Sequence, residues 1–405
     1  MSTIFLLNIS GPDRRGLSAE LSSVFEEQDV RILDIGQSVI HDQVSLGMMI
    51  QLPDGIEPST ILSELKETGR KLGVHIYISA VSEQSYANWV EEQGLDRYTL
   101  TLLTREVSAE EIARITRVTA KQGLNIHEIT RLSGRIKLDE QVTNETKSCV
   151  EFSVKGTPKD PENMRENFLR IASELDIDIA IQRDDAHRRT RRLVCFDMDS
   201  TLIEAEVIDE LAKVAGVGEQ VAAITERAMQ GEIDFNESFR QRMALLEGLD
   251  EAVLIDIANH LPIMEGAERL IKNLKNYGFK TAILSGGFTY FGQHLQNKFG
   301  IDYVHANMLK IQNGKLTGKV IEPIINGEMK AKLLREIAAQ EGINPEQTIA
   351  VGDGANDLPM LSAAGLGIAF RAKPLVRESA KQALSTHGLD SILYLLGFKD
   401  SDIIE

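Results

Sequence analysis

The run Leu193-Val194-Cys195-Phe196, followed by Asp197-Met198-Asp199-Ser200-Thr201, constrains the fold more than any other stretch of the chain. Apolar throughout and too short for a helix, it reads as a buried strand that ends abruptly in acids. Side chains two apart on an extended backbone point the same way, so Asp197 and Asp199 are expected side by side, facing whatever binds beyond the strand. Two crowded carboxylates repel unless a cation or a shared proton relieves them. One can then serve as metal ligand and nucleophile while its neighbour handles a proton. The same Asp-x-Asp spacing recurs at Asp176/Asp178 and Asp400/Asp402, so spacing alone decides nothing. The apolar lead-in and the following Ser-Thr set Asp197/Asp199 apart, whereas the other two pairs are expected in polar, solvated surroundings.

From that run onward, short apolar segments alternate with helical ones, the signature of a parallel α/β sheet. Candidate strands cover residues 193–197, 280–285, 348–353 and 366–370. Ligands of such sheets bind outside the carboxyl ends of the strands, where Asp197, Ser285 and Asp353 fall. Residues 205–260 form a helical insertion too long for a simple crossover, read as a lid over the strand ends. A second insertion, 308–320, carries Asn313-Gly314 between extended segments and reads as a β-hairpin.

The first half uses one βαββαβ order twice, predicting two ferredoxin-like domains with two helices over a four-stranded antiparallel sheet. The expected boundaries are 1–85 and 96–184, then a linker 185–192 and a catalytic domain 193–405. The arginine-rich linker reads as a solvated segment or a dimer salt-bridge surface. Covering the open face of each small sheet makes a homodimer an expectation.

Chain length favours two or three domains. A net charge of −17, shared evenly by the two halves, excludes a nucleic-acid binder. An acidic protein that handles an anion must gather positive charge locally, from Lys, Arg, Mg²⁺ or helix N-termini. Cys149 and Cys195 both lie in apolar runs and read as buried small hydrophobes, not as a disulfide or a thiolate metal site. With no stretch approaching a membrane span and no leader pattern, the protein is expected to be soluble and cytoplasmic.

Three further elements converge on the Asp197/Asp199 strand end if the sheet is built this way. Ser285-Gly286-Gly287 lies where a strand gives way to a helix, and its hydroxyl and N–H groups suit an anion. Lys330, at a helix start, could neutralise a phosphoryl oxygen, although a lone lysine there is ordinarily solvated. Gly352-Asp353-Gly354-Ala355-Asn356-Asp357 places an acid between glycines at a strand end, and Asp353 is a hard oxygen ligand suited to Mg²⁺.

These motifs, D-x-D-S-T, S-G-G, Lys and G-D-G-x-N-D, stand in the order found in phosphatases of the haloacid dehalogenase superfamily, which residues 191–396 resemble, in particular those acting on phosphoserine. The resemblance implies that Asp197 is the nucleophile, forming an aspartyl-phosphate, and that Asp199 does the proton work. It implies Mg²⁺ held by Asp197, Asp353 and the Asp199 main-chain carbonyl. Ser285, Gly286 N–H and Lys330 would hold phosphoryl oxygens, with Asn356 at the substrate and Asp357 orienting Lys330 or metal-bound water. Within the lid, Glu206 would take the substrate's α-ammonium and Arg242 its α-carboxylate, with Phe235 and Met229 as apolar lining. The two βαββαβ units resemble ACT domains, and Gly11-Pro12-Asp13-Arg14-Arg15-Gly16 is close to that family's G-P-D-x-x-G turn. Asp13 reads as a helix cap and Gly16 as accessible backbone. In the second unit Thr104-Arg105-Glu106-Val107-Ser108 lacks the glycines, leaving a partner surface with Asn125 nearby. The expectation is feedback by L-serine bound between ACT domains. Two alternatives stand beside it: a phosphotransferase passing phosphate to homoserine, and a non-catalytic amino-acid sensor.

Overall fold

The computed structural model describes residues 3–405, in two compact units, 1–95 and 96–405. The first unit runs β1 (Thr3–Pro12), α1 (Leu17–Glu26), β2 (Arg31–Ile40), β3 (Gln43–Leu52), α2 (Pro58–Leu72), β4 (His75–Val81) and α3 (Glu83–Glu91). Its antiparallel sheet has the order β2-β3-β1-β4. Strict alternation in β3 turns Val44, Leu46, Met48 and Ile50 onto Leu21 and Phe25 of α1 and Ile61 and Leu65 of α2. Helix α1 begins three residues later than the sequence suggests. The strand continues through Pro12, Asp13 donates its N–H to the Asp42 carbonyl (2.7 Å), and Gly16, at φ 87°, occupies the cap position. Asp13 is therefore not the cap, because a left-handed glycine makes the turn.

The second unit starts with β5 (Arg97–Thr104), α4 (Ala109–Lys121), β6 (Asn125–Arg131), β7 (Ser148–Lys155), α5 (Pro161–Leu175) and β8 (Asp178–Arg183). Its sheet order, β6-β7-β5-β8, repeats the first, down to a register shift in the second strand, at Ile32/Asp34 and again at Ile126/Glu128. Here the helix start is filled by side chains: Ser108 accepts from Glu111 N–H, Glu111 accepts from Ser108 N–H, and the Thr104 hydroxyl donates to Glu111 (2.9 Å).

A short helix, α6 (Ala186–Arg189), leads to β9 (Leu193–Phe196). Four helices follow as an insertion, α7 (Val207–Ala215), α8 (Gly218–Met229), α9 (Phe235–Ala244) and α10 (Ala252–Asn259), and then α11 (Ala267–Asn276). The chain continues through β10 (Lys280–Phe288), α12 (Thr289–Phe299), β11 (Tyr303–Asn307) and the hairpin β12 (Leu309–Gln312) and β13 (Lys315–Val320). Asn313 and Gly314 turn that hairpin at φ 54° and 74°, as the Asn-Gly signal predicts. Last come α13 (Gly327–Gln340), β14 (Thr348–Gly352), α14 (Leu358–Ala363), β15 (Leu366–Phe370), α15 (Pro374–Ser379), β16 (Gln382–Leu384) and α16 (Ile392–Leu395). The parallel sheet has the order β11-β10-β9-β14-β15-β16, with β9 central and fully buried. β11 and β16 were not legible beforehand, and Ser285-Gly286-Gly287 lies inside β10, at an irregularity in its pairing, rather than beyond the strand.

Within the second unit the small sheet is built onto the large domain. Leu103, Leu132, Cys149 and Ala180 join the same core as β9 and the insertion helices. Beside β8, the Gln382 amide serves both the N–H and the carbonyl of Ile181, doing for the sheet edge what a further strand would do. Asp178, expected in solvent, is 3% exposed and accepts from Ser385 N–H (2.7 Å) and Thr386 N–H (3.1 Å). Asp400 likewise accepts from the Tyr394 hydroxyl and Gly134 N–H. The arginine-rich linker is solvated over most of its length, Arg189 and Arg192 included, but two of its arginines are not free in water. Arg188 pairs with Glu151 (2.7 Å), and buried Arg191 donates to Gln182 (2.7 Å), because β7 and β8 of the small sheet present acceptors to them. Both cysteines are buried and free. Among the described residues no helix is long and apolar enough to cross a membrane.

Candidate active site

Strand β9 ends on Asp197, whose N–H continues the ladder to the Val351 carbonyl (2.9 Å). The chain then curls instead of staying extended. The Met198 carbonyl accepts from the N–H groups of Leu202 (2.9 Å) and Ile203 (3.1 Å), and Ser200 adopts φ 55°. Both acids are nearly buried, Asp197 at 4% and Asp199 at 8% exposure. Asp199 takes only a long bond from Val207 N–H (3.3 Å). Burial, reinforced by Glu206 and Asp197, raises its carboxyl well above the ordinary range.

Lys330 is fully buried, contrary to the usual fate of a lysine at a helix start. Helix α13 is capped by the Asn326 side chain and places the ammonium 2.9 Å from Asp197 Oδ2 and 2.7 Å from Asp357 Oδ1. Burial would push Lys330 down, but the two carboxylates outweigh it and hold it charged. After β14, Asp353 and Asp357 complete the group. Carboxylate oxygens of Asp197, Asp353 and Asp357 all lie within 4.8 Å of one another. Burial first, and then Asp197, push Asp353 up to about 8 and Asp357 to about 7, the latter against the pull of Lys330. One ammonium thus faces three hard oxygen donors, an excess of negative charge that a divalent cation of the Mg²⁺ kind fits. Asp357 belongs to this cluster of carboxylates directly.

Ser285 is fully buried and its Oγ accepts from Gly287 N–H (2.9 Å). Two glycines are required here by close approach: a Cβ on Gly286 would lie 2.9 Å from Phe235 Cζ, and one on Gly287 would lie 2.6 Å from Asp199 Oδ2. From the insertion, Phe235 thus reaches the strand end, stacked at 6.2 Å on Phe239. Glu206 stands at the N-cap position of α7, but its side chain makes no capping bond. It is exposed at the mouth of the site, accepts from the Ser200 hydroxyl (2.8 Å), and is raised by the surrounding protein mass and by Asp197. Half-buried Arg242 is lowered by burial, with Glu206 as the largest opposing influence. Met229 departs from its expected role as lining: it is 65% exposed, with its sulfur 3.7 Å from Lys373 Nζ. Asn356 is half-buried and folds back over Gly354.

Two functional positions went unassigned in the sequence. Thr201 is fully buried and donates to Asp353 Oδ1 (3.3 Å), and Gly287 abuts Asp199. Both lie within the tracts D-x-D-S-T and S-G-G, which was the only signal available. The regulatory candidates sit elsewhere: Asp13 and Gly16 in the turn between β1 and α1, and Asn125 at the start of β6, all exposed.

Acids at the centre of a parallel sheet, answered by one buried ammonium beneath a helical insertion, define a hydrolase of the haloacid dehalogenase-like class, and the family model of that description matches residues 191–365. ACT domain models match residues 3–79 and 97–182. Among curated relatives, the phosphoserine phosphatases of Mycobacterium tuberculosis and Streptomyces coelicolor are each 38% identical, over 98% of this chain and 94% and 93% of theirs. Among solved structures, a haloacid dehalogenase family hydrolase from Salmonella enterica serovar Typhi superposes with TM-score 0.63 at 31% identity, covering 74% of this chain and 98% of that one. A probable phosphoserine phosphatase from Vibrio cholerae gives 0.59 at 34% identity, covering 74% and 86%. The chain belongs to the phosphoserine phosphatase family, with two ACT domains ahead of its hydrolase domain.

Proposed function

We propose that this chain hydrolyses O-phospho-L-serine to L-serine and phosphate in the cytoplasm, with Mg²⁺ as cofactor and Asp197 as nucleophile. The observation that carries the reading is the Asp197–Lys330–Asp357 arrangement at the end of β9 (2.9 and 2.7 Å), which sets a buried ammonium against the nucleophile, while burial raises the carboxyl of its neighbour Asp199 well above the ordinary range. An Asp197 oxygen attacks phosphorus in line with the seryl oxygen. As that P–O bond breaks, Asp199 delivers its proton to the departing oxygen. Water then attacks the aspartyl-phosphate, Asp199 takes a water proton back, and Asp197 leaves as carboxylate. Lys330, the Ser285 hydroxyl and the N–H groups at Gly286 and Gly287 hold the other phosphoryl oxygens. Asp197, Asp353 and the Asp199 main-chain carbonyl would hold the metal ion, with Asp357 beside them, and its charge would offset repulsion between nucleophile and phosphate.

The head of the substrate falls to Glu206 and Arg242, an acceptor and a planar donor whose charges act on each other. Phe235, lying over Gly286, closes the phosphoryl end against water. Control by L-serine is assigned to the first ACT domain, at the turn holding Asp13 and Gly16, since the corresponding turn of the second is occupied by Thr104, Ser108 and Glu111; Asn125 would then be a secondary contact. Assembly as a homodimer completes the proposal. Phosphate release from phosphoserine should vanish in Asp197→Asn while the fold persists. Undiminished turnover in that variant would overturn the catalytic assignment. A rate that depends on added homoserine would replace hydrolysis with transfer.

A further inference from the structure

We propose that Lys147, contributed by the second ACT domain, is a positioning residue for the phosphatase reaction, acting through Asp390 on the strand by which the helical cap returns to the sheet. The proposal rests on the reading of Glu206 and Arg242 as the grip on the substrate head.

The cap is joined to the core by two short connections that meet at isolated bridges and not in a regular ladder, an outgoing strand after the Asp199 loop and a return strand before α11. The two are zipped together: Glu204 N–H donates to the Pro262 carbonyl (2.8 Å), Met264 N–H to the Leu202 carbonyl (3.0 Å), and Ile203 bridges Ile263. Arg371, held at φ 45°, lays its guanidinium between the same two strands, against Glu265 of one and Glu204 of the other. A left-handed arginine carries backbone strain, which persists where surrounding structure imposes it. Whatever moves the return strand therefore moves the outgoing one, and with it Glu206.

The far end of the return strand rests on Asp390. Leu389 N–H donates to the Glu265 carbonyl (2.8 Å), and Gly266, at φ 78°, lies so close that a Cβ there would stand 2.7 Å from Asp390 N. Asp390 itself is 3% exposed and held by two cations: Arg269 of α11 at 3.0 Å and Lys147 at 2.6 Å to each carboxylate oxygen. Lys147 lies just before β7, and its side chain is only 14% exposed. Exposed ion pairs contribute little to stability. This one is buried, bidentate and shared between domains, and the same segment is gripped again where Asp178 of β8 accepts from Ser385 and Thr386. Residues 385–390 are thus clamped by the ACT domain on one side and abut the cap's return strand on the other. The placement of the second ACT domain fixes the angle at which the cap presents Glu206 and Arg242 to Asp197.

The test uses the full chain with Lys147→Met and Lys147→Arg. Amide hydrogen exchange, followed without substrate, should speed up on the order of tenfold over residues 263–267 in Lys147→Met. KM for phosphoserine should rise on the order of tenfold with kcat nearly kept, because misplacing a binding group weakens the grip before it touches the chemistry. Turnover of phenyl phosphate, which lacks the amino-acid head, should not change, and Lys147→Arg should restore both readouts. A plain loss of folded protein would instead lower kcat for both esters at constant KM, and that result, or unchanged hinge exchange, overturns the proposal. If the wild-type chain fails to prefer phosphoserine over phenyl phosphate, the substrate reading fails, and hinge exchange still tests the coupling.

Discussion

Binding of Mg²⁺ should expel a proton at neutral pH and almost none at pH 9. The argument starts from Asp353, which burial and the neighbouring Asp197 push up to about 8. A carboxyl there is about nine-tenths protonated at pH 7 and about one-tenth at pH 9. Since the ion needs the carboxylate, binding at pH 7 should release about one proton, mostly from Asp353, and apparent affinity should climb about tenfold, or about 1.4 kcal/mol, between pH 7 and pH 9. The stability of the metal-free protein has the matching sign. An acid whose folded-state pKa is raised destabilises the fold once the unfolded chain can ionise, so stability is full below about 4 and declines as pH rises to about 8. Saturating Mg²⁺ should reverse the decline. Titration calorimetry in two buffers of different ionisation enthalpy counts the protons directly. Zero release at pH 7, with binding otherwise intact, would refute the claim that this cluster carries uncompensated charge.

Three further outcomes follow from the geometry. Lys330→Met strands Asp197 and Asp357 without their shared ammonium; breaking a buried pair costs about 3–5 kcal/mol, so the melting temperature should fall by several degrees and activity should disappear. Gly287→Ala drives a methyl to 2.6 Å from Asp199 Oδ2 and should cut kcat by at least about a hundredfold while circular dichroism stays native; normal turnover would show that Asp199 does not work where it stands. Removing residues 1–95 should leave phosphoserine hydrolysis in place and abolish the response to millimolar serine, since 96–405 forms its own compact unit; a surviving response would move the effector site into the second ACT domain. A cut at 183 would be a poorer experiment, because it uncovers the core that Leu103, Leu132, Cys149 and Ala180 share with the phosphatase.

What the sequence revealed and what it hid divide along a physical line. The hairpin at Asn313-Gly314, the central strand Leu193–Phe196 and the acids at strand ends were legible because backbone geometry or uniform apolarity marks them locally. Strand β16 was not, since three residues at a sheet edge are too few to show a period. The burial of Arg188 and Arg191 was hidden for another reason. An arginine run looks the same whether water or a docked domain supplies its acceptors, and here Glu151 and Gln182 do. Lys330 defied the ordinary rule for lysine because its two partners, Asp197 and Asp357, lie far off in sequence and arrive only when the sheet forms.

The three Asp-x-Asp pairs show what separates a structural acid from a working one. Asp178 is as buried as Asp197, but it faces two backbone N–H groups, from Ser385 and Thr386, and Asp400 receives a hydroxyl and an N–H. Donors of this kind satisfy a carboxylate permanently and leave it nothing further to bind. At the active site the supply runs short. Asp353 receives one long bond from Thr201 (3.3 Å) and Asp199 one from Val207 (3.3 Å), whereas Asp197 and Asp357 share the Lys330 ammonium and each accept one backbone N–H, from Met198 (2.7 Å) and Gly354 (3.0 Å). Buried carboxylates left so short of donors persist only where another part of the structure holds them in place. The sheet does so by carrying Asp197 and Asp353 on the ends of adjacent buried strands, β9 and β14. Spacing in the sequence places acids together. The shortage of donors around Asp353 and Asp199, visible only in three dimensions, leaves one able to take a cation and the other to hold a proton.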